Sequence, residues 1–268
     1  MTNIHGRPDA GAEGRREQGP AMDRACRVLQ EDPDLAEVVP AARRDRAVED
    51  CLALTIGLER GGWSGQGADD GGIGIGLLVL EGLLLRRVGI DGRFGVELLG
   101  EGDLLRPWQG PAVPPPLPRT TGWRVVEPSR LAVLDGLAAE RLARYPELIG
   151  ALVGRALERS RNLAVNMAIV HQPRVDVRLQ MVFWHLADRW GVVCSDGIRL
   201  PLRLTHALLA DLVTARRPTV SSALSELAER GLVRPVGDAW LLTGEPPGEL
   251  LELQGVVVGD RAANPSAL

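Results

Sequence analysis

Residues 204–233 constrain this chain more than any other stretch, because they combine the signals of two short helices joined by a tight turn. Thr205 can cap the first helix, since its hydroxyl can accept a hydrogen bond from an unpaired N–H of the first turn. Pro218 suits the first turn of a second helix, which Gly231 would end. The apolar residues of the first helix fall on one face. They are Leu208, Leu209, Leu212 and Val213.

The second helix has an apolar face and a polar face. The apolar positions recur at helical spacing and are Val220, Ala223, Leu224, Leu227 and Ala228. Short hydroxyl side chains on the other face would let a phosphate backbone come close and can bond to base edges. The candidate DNA contacts are Arg216, Arg217, Thr219, Ser221, Ser222 and Ser225. The alternative is an ordinary helix pair whose polar face meets only water.

A hairpin signal follows the second helix. Residues 232–236 and 239–242 flank the pair Gly237-Asp238, which is typical of tight turns between antiparallel strands. Two helices followed by a hairpin predict a winged helix-turn-helix. The order of the elements is more specific than any one of them.

At these residues the chain resembles the Crp/Fnr family of bacterial transcription regulators. Arg217 stands where that family has its main base-reading arginine. The chain departs from the family at Pro218, where an acidic residue is usual, and at Ser222, where a second arginine is usual. The family's usual DNA half-site is therefore not expected to carry over unchanged. Pro218 also biases Arg217 away from helical geometry.

Short apolar runs separated by turns predict a small antiparallel β-roll or jelly roll before this region. The predicted strands are residues 77–80, 83–85, 96–99, 123–126 and 130–134, and the predicted turns are Asp91-Gly92 and residues 100–103. Residues 80–85, 91–93 and 98–105 resemble the cyclic-nucleotide-binding roll of the same family. Residues 21–59 are predicted to be helical from the spacing of their apolar side chains.

The resemblance fails where a cyclic phosphate would bind. A nucleotide-binding member has Gly-Glu and then Arg-Ser or Arg-Thr, whereas this chain has Arg106-Pro107-Trp108 and a proline-rich run over 111–118. Proline lacks the backbone N–H that phosphate binding uses. Arg119 and Thr120 are the only weak candidates for effector contact. We therefore expect no response to cAMP, and any small-molecule effector stays unidentified.

Residues 148–170 predict a long dimerisation helix. Steps of three and four residues from Ile149 give a seam that contains polar Arg159 and Asn166. The other seam positions are Leu152, Ala156, Leu163 and Val170. The resemblance favours a homodimer, and the alternative is a helix packed on its own roll.

Charge and composition exclude several classes of protein. The net charge is −4, yet residues 173–244 carry nine arginines against seven acidic residues, so the candidate DNA-binding part is weakly positive. Cys26, Cys51 and Cys194 lack the spacing of a disulfide framework or a zinc site. The predicted roll has no histidine for cupin-like catalysis. We predict no enzyme activity, no catalytic residues, no cofactor and no metal.

The predicted fold is α+β: an N-terminal jelly-roll or β-roll sensor domain, a long dimerisation helix and a C-terminal winged helix-turn-helix. The predicted boundaries are a disordered tail over 1–20, helices and roll over 21–144, the dimerisation helix over 145–172, the winged domain over 173–244 and an acidic flexible tail over 245–268. No signal peptide or membrane-spanning run is visible, which predicts a cytoplasmic protein.

The predicted function is a homodimeric transcription regulator that reads palindromic double-stranded DNA with the helix over 218–229. RNA polymerase and an unknown small-molecule effector are further predicted partners. No contact with a membrane is predicted. The alternative is a protein-interaction module with a degenerate winged helix and no specific DNA binding.

Overall fold

The computed structural model describes residues 22–65, 74–108 and 117–246. The first half contains β1 (Met22–Arg27), α1 (Val28–Glu31), α2 (Pro33–Glu37), α3 (Ala41–Asp50), β2 (Leu52–Leu58), β3 (Gly61–Trp63), β4 (Gly76–Ile90), β5 (Arg93–Leu99), β6 (Leu104–Leu105) and β7 (Thr120–Leu134). The second half contains α4 (Gly136–Leu142), α5 (Pro146–Val170), α6 (Val175–Trp190), β8 (Val192–Cys194), β9 (Gly197–Leu200), α7 (His206–Leu212), α8 (Arg217–Glu229), β10 (Val233–Val236) and β11 (Ala239–Leu242).

Two antiparallel sheets organise these elements. The larger sheet has the strand order β1-β2-β7-β4-β5, with β3 on β7 and β6 on β4, and it forms the roll that the sequence predicts. The smaller sheet has the order β10-β11-β9-β8 and belongs to the winged domain. The mixed α+β architecture with a C-terminal helix-turn-helix is therefore confirmed.

The prediction of helix throughout residues 21–59 is wrong at both ends. β1 and β2 flank the three short helices and pair with each other, with Ala25 opposite Leu54. Apolar residues at 51, 52 and 54 fit a helical period, but Leu52–Leu58 has alternating burial along part of its length and pairs with β7 on its other side. Pairing between residues distant in sequence made these two segments strands instead of helices.

The predicted breaks within the roll are also wrong, because β4 and β7 are each continuous over 15 residues. Their register shifts near Glu81 and Leu83, where the two strands bulge against each other. Gly82 has a φ of +96°, and a Cβ there would lie 2.4 Å from the carbonyl oxygen of Pro128. The segments that contain Gly82 and Pro128 thus bend the ladder without ending it.

One hydrophobic core joins the roll to the winged domain. Leu83, Leu85 and Leu98 of the roll belong to the same buried cluster as the interior of the winged domain. Within that cluster the rings of Phe183 and Trp240 are 4.9 Å apart. Because packed apolar surface resists rearrangement, this shared core sets how the helix-turn-helix is presented.

An ion pair with a buried carboxylate reinforces the same junction. Arg189 of α6 contacts Asp103 of the roll at 2.8 Å between Nη1 and Oδ2, and its Nη2 donates to the carbonyl oxygen of Glu101. The indole of Trp190 packs against Gly100, where a Cβ would lie 3.1 Å from the ring. Burial raises the pKa of Asp103, an effect that Arg189 opposes.

The long helix α5 turns its predicted seam toward its own subunit. Leu152 is buried beneath the roll, and Arg159 binds Glu97 through Nε and Nη2. Three exposed apolar side chains of α5 each lie one residue after a seam position: Val153 (53 % exposed), Leu157 (58 %) and Met167 (64 %). Val165 is also exposed. In the single chain most of the seam from Ile149 is therefore partly or fully buried, whereas Ala156 is exposed. A seam that repeats through residues 150, 153, 157, 160, 164 and 167 faces outward instead.

Some sequence predictions fall outside the described residues. These are the tail over 1–20, the acidic tail except residues 245 and 246, and most of the proline-rich run. Among the described residues, no helix is both long enough and apolar enough to cross a bilayer.

Candidate nucleic-acid interface

The two helices of the predicted helix-turn-helix, α7 and α8, form as their local signals indicate; together with the turn between them they are called the reading head below. The hydroxyl of Thr205 caps α7 by accepting a hydrogen bond from the N–H of Leu208 at 3.2 Å. Thr214, in the turn, has a φ of +52°, and the N–H of Ala215 donates to the carbonyl oxygen of Ala210. Arg178 of α6 supports this turn, since its Nη1 donates to the carbonyl oxygen of Val213 at 3.1 Å.

Helix α8 buries one face and exposes the other. Val220, Ala223, Leu224 and Leu227 are buried, as their spacing predicts, whereas Ala228 is only half-buried. Arg216 caps the helix with its backbone, and Pro218 lies in the first turn, where its missing N–H costs nothing. Gly231, with a φ of +69°, follows the end of the helix.

Five of the six candidate DNA contacts are exposed and lie on one surface of the winged domain. They are Arg216, Arg217, Thr219, Ser222 and Ser225. The sixth, Ser221, is half-buried, and its Oγ lies 2.9 Å from Nδ1 of His206. Sequence periodicity places Ser221 on the polar face but does not show that its hydroxyl forms a hydrogen bond with another helix.

The hydroxyls of the other two serines bond to their own helix. Ser222 Oγ donates to the carbonyl oxygen of Pro218 at 3.3 Å, and Ser225 Oγ donates to that of Ser221 at 3.1 Å. Each oxygen keeps its lone pairs and can accept from a base amino group, and rotation of the hydroxyl frees the proton for a phosphate.

The electrostatics of the exposed face come from two arginines. Within the described residues, Arg216 and Arg217 form no ion pair. Other arginines of the winged domain do: Arg203 binds Asp238 at the tip of the wing, and Arg174 binds Asp176. The charge of those pairs is neutralised internally, whereas Arg216 and Arg217, beside the polar face of α8, remain available to release counterions from a nucleic acid.

The wing forms as the sequence predicts. β10 pairs with β11 from Val233 opposite Leu242 to Val236 opposite Ala239, and Gly237 has the positive φ of +60° that the turn requires. Strand β9 continues the sheet beside β11. Trp240 of the wing packs on Phe183, which ties the wing to α6.

The other sequence-predicted sites are placed differently. Arg119 and Thr120 are exposed at the start of β7, so the described part of the chain does not enclose them in a phosphate pocket. Trp108 packs with Trp63 and Trp123 against the core of the roll, in the segment where the resemblance would place nucleotide contacts. Among the described residues, no group of three or more His, Cys, Asp or Glu side chains is arranged to hold a metal.

Comparisons with known proteins bear on both halves of the chain. Residues 177–243 match the family model of the Crp-like helix-turn-helix domain. The chain is 30 % identical over 129 residues to the CRP-like cAMP-activated global transcriptional regulator of Mycobacterium tuberculosis. That match covers 48 % of this chain and 58 % of the regulator, so it spans less than two thirds of the relative.

Solved structures share the fold across most of the chain. A cyclic nucleotide-binding domain containing protein from Listeria monocytogenes superposes with a TM-score of 0.58 at 15 % identity, covering 78 % of this chain and 96 % of that one. FixK2 from Bradyrhizobium japonicum superposes with a TM-score of 0.54 at 16 % identity, covering 75 % of this chain and 96 % of that one. At these identities the likeness establishes the fold alone.

Proposed function

We propose that this chain is a homodimeric, sequence-specific DNA-binding regulator of transcription of the CRP/FNR family. The match of residues 177–243 to the Crp-like helix-turn-helix domain and the fold shared with FixK2 support this proposal. Helix α8 would enter the major groove, with Arg217 reading a base edge and Arg216 and the hydroxyl side chains holding the backbone. The observation that carries the proposal is the exposed face of α8 with two arginines that no described carboxylate neutralises. A regulator of this kind would act in the cytoplasm, with RNA polymerase as a further partner.

The outward face of α5 supports the proposed dimerisation. Val153, Leu157 and Met167 form an exposed apolar stripe, and a Cβ added at Gly150 or Gly154 would meet no described atom within 4 Å. Small and apolar residues repeating at this spacing suit a two-stranded helix pair. Two copies would present two α8 helices to a palindrome with half-sites about one helical turn apart.

The sensor half is proposed not to respond to cAMP. Arg106-Pro107-Trp108 directly follow β6, and the indole of Trp108 packs against the roll core beside Trp63 and Trp123. The M. tuberculosis relative is described as cAMP-activated, but its 30 % identity covers only part of either protein. Adding cAMP to the full chain should leave its DNA affinity unchanged.

Selection from random duplexes with the purified full chain tests the main proposal. Repeated rounds should enrich a motif with dyad symmetry, and an Arg217→Ala variant should lose base preference at one position of each half-site. Enrichment of no motif, or of one without symmetry, would contradict a dimeric reader of palindromes. Arg46→Ala is a suitable control, since that side chain is 83 % exposed on the sensor half.

A protein-interaction module is the second candidate. It is favoured by the acidic side chain of Asp238 at the wing tip and by Ser222, where the resemblance leads us to expect an arginine. A salt titration separates the two, because each phosphate contact adds about −0.9 to the slope of log affinity against log salt. A slope near zero with every duplex would favour the interaction module.

A further inference from the structure

A small cavity lies beside the edge strand β5, where three parts of the molecule meet. Its volume is about 240 Å³. The β4–β5 hairpin, the C-terminal half of α5 and the turn of the helix-turn-helix all contribute to the wall. The apolar lining residues include Val88, Phe94, Val96, Leu163, Val170 and Leu212. A concave site with apolar walls and a few convergent polar groups is the usual form of a small-molecule site.

The polar lining of the cavity is Arg86, Glu97, Asn166 and Thr214, and the charge of Arg86 is not fully compensated. Its Nη2 lies 2.9 Å from Oε2 of Glu97. The same carboxylate accepts from Arg159 Nε at 2.6 Å and Nη2 at 2.9 Å, and Glu97 is only 5 % exposed. Two guanidinium groups thus share one buried carboxylate, which leaves one positive charge in excess.

Other carboxylates of the described chain do not supply the missing charge. Asp103, the other buried carboxylate of this junction, is paired with Arg189 at 2.8 Å. The Nε–H of Arg86 is buried and has no hydrogen-bond acceptor among the described residues. Burial lowers the pKa of Arg86, and Arg159 lowers it further, whereas Glu97 raises it. Because Arg86 shares its only carboxylate partner among the described residues with Arg159, an anionic group placed against its guanidinium would be stabilising.

We propose that this cavity binds a small organic acid, with its carboxylate beside the partly exposed guanidinium of Arg86 and its apolar body against Val88, Val96 and Leu163. The cavity shares no residue with the buried core of the roll, which is built around Ile56, Leu77, Leu84 and Leu131. A short-chain or single-ring acid matches both the size and the charge of the site.

The position of the cavity links such a ligand to the reading head. Leu212 ends α7, and Thr214 lies in the turn that leads into α8. A ligand that touches the hairpin, α5 and this turn together would favour one orientation of α8 and so shift the DNA-binding equilibrium. This regulatory consequence rests on the proposed function, whereas the binding of the acid does not.

Binding to the full chain is measured first, without DNA, by ligand-observed NMR. The probes are sodium benzoate and sodium hexanoate, with benzylamine as the cationic match for benzoate. The acids should bind saturably and benzylamine should not. Arg86→Gln should weaken the acids by about tenfold or more, because it removes the charge. Val88→Phe should weaken them by filling the cavity, and Arg93→Gln, exposed in the same hairpin, should bind as the wild type does.

Two results would overturn the proposal: no saturable binding of either acid below about 10 mM, or unchanged binding by Arg86→Gln with intact circular dichroism. If Arg86→Gln fails to fold, Val88→Phe alone decides. DNA affinity is then compared with and without benzoate. A chain that binds the acids but no duplex keeps the site and contradicts the proposed function. A chain that binds a duplex but neither acid contradicts the proposed site and leaves the proposed function standing.

Discussion

The Nδ1 atom of His206 lies 2.9 Å from the Oγ atom of Ser221, so a hydrogen bond joins the first residue of α7 to helix α8. Thr205, the residue before His206, caps α7 with its own hydroxyl. The start of α7 is therefore fixed both to its own first turn and to the neighbouring helix. When Nδ1 of His206 is the acceptor, Ser221 has to break this bond to donate to DNA. When Nδ1 carries the proton, Ser221 accepts and its hydroxyl can still donate.

This pair should be measurable as a coupling energy. His206→Ala and Ser221→Ala should each lower the free energy of unfolding by about 0.5–1.5 kcal/mol or less, because the bond is exposed to water. The double variant should lose less than the sum of the two single variants. Urea unfolding of the four proteins gives the coupling. Strict additivity would mean that the two side chains do not interact in solution.

Arg216 and Arg217 should differ in what they do. Arg217→Ala should relax discrimination at one base position by about 1–3 kcal/mol. Arg216→Ala should weaken all duplexes alike and reduce the salt slope by about 0.9, as expected for a phosphate contact. Fluorescence anisotropy with the selected site and single-base variants measures both effects. Equal losses on every duplex from both variants would assign Arg217 to the backbone as well.

The outward stripe of α5 should control assembly. Leu157→Glu places a charge where an apolar side chain is 58 % exposed in the single chain, and it should convert a dimer to monomers. Analytical ultracentrifugation measures the change, and binding to a full palindrome should fall toward that of a half-site. Val193→Glu is the matched control, because Val193 is 83 % exposed on β8 of the winged domain. A Leu157→Glu protein that stays dimeric would place the interface elsewhere.

Stability should depend on pH through His185. Burial lowers the pKa of this imidazole in the folded chain, and Asp188 opposes the shift only in part. Between the folded value and the unfolded value of about 6.5, the unfolded chain binds more protons, so folding is favoured above that window and weakened as the pH falls through it. Urea unfolding at several pH values near and below neutrality tests this.

The comparison that isolates His185 is with the variant His185→Gln. The variant should lose stability less steeply than the wild type as the pH falls, because Gln carries no titrating proton. All other ionisable groups are the same in the two proteins, so their contributions cancel in the difference. Parallel curves would show that the imidazole has the same proton affinity in both states.

The reading head was accessible from the sequence because its signals are local. A cap at Thr205, a proline in the first turn of α8, a glycine after it and a Gly-Asp turn in the wing each act within a few residues. The observed α8 begins at Arg217, one residue before the predicted start. The buried face follows from the 3.6-residue period alone.

The roll was harder to predict, because its strands are defined by partners far away in sequence. Gly82 looks like a strand break, yet it admits the carbonyl of Pro128 and lets β4 continue. The outward face of α5 could not be predicted for the same reason. Arg159 looks like a polar residue in a dimer seam, but it binds Glu97, which lies 62 positions earlier.

The sequence by itself therefore determined the helix-turn-helix, its polar face and the existence of a roll and a long helix, since short-range caps, turns and periods encode them. Tertiary structure alone decided which face of α5 points outward, that Ser221 is held by His206, and that Arg86 and Arg159 share one carboxylate. Those features depend on side chains that come into contact only after the chain has folded, and no local sequence pattern encodes such contacts.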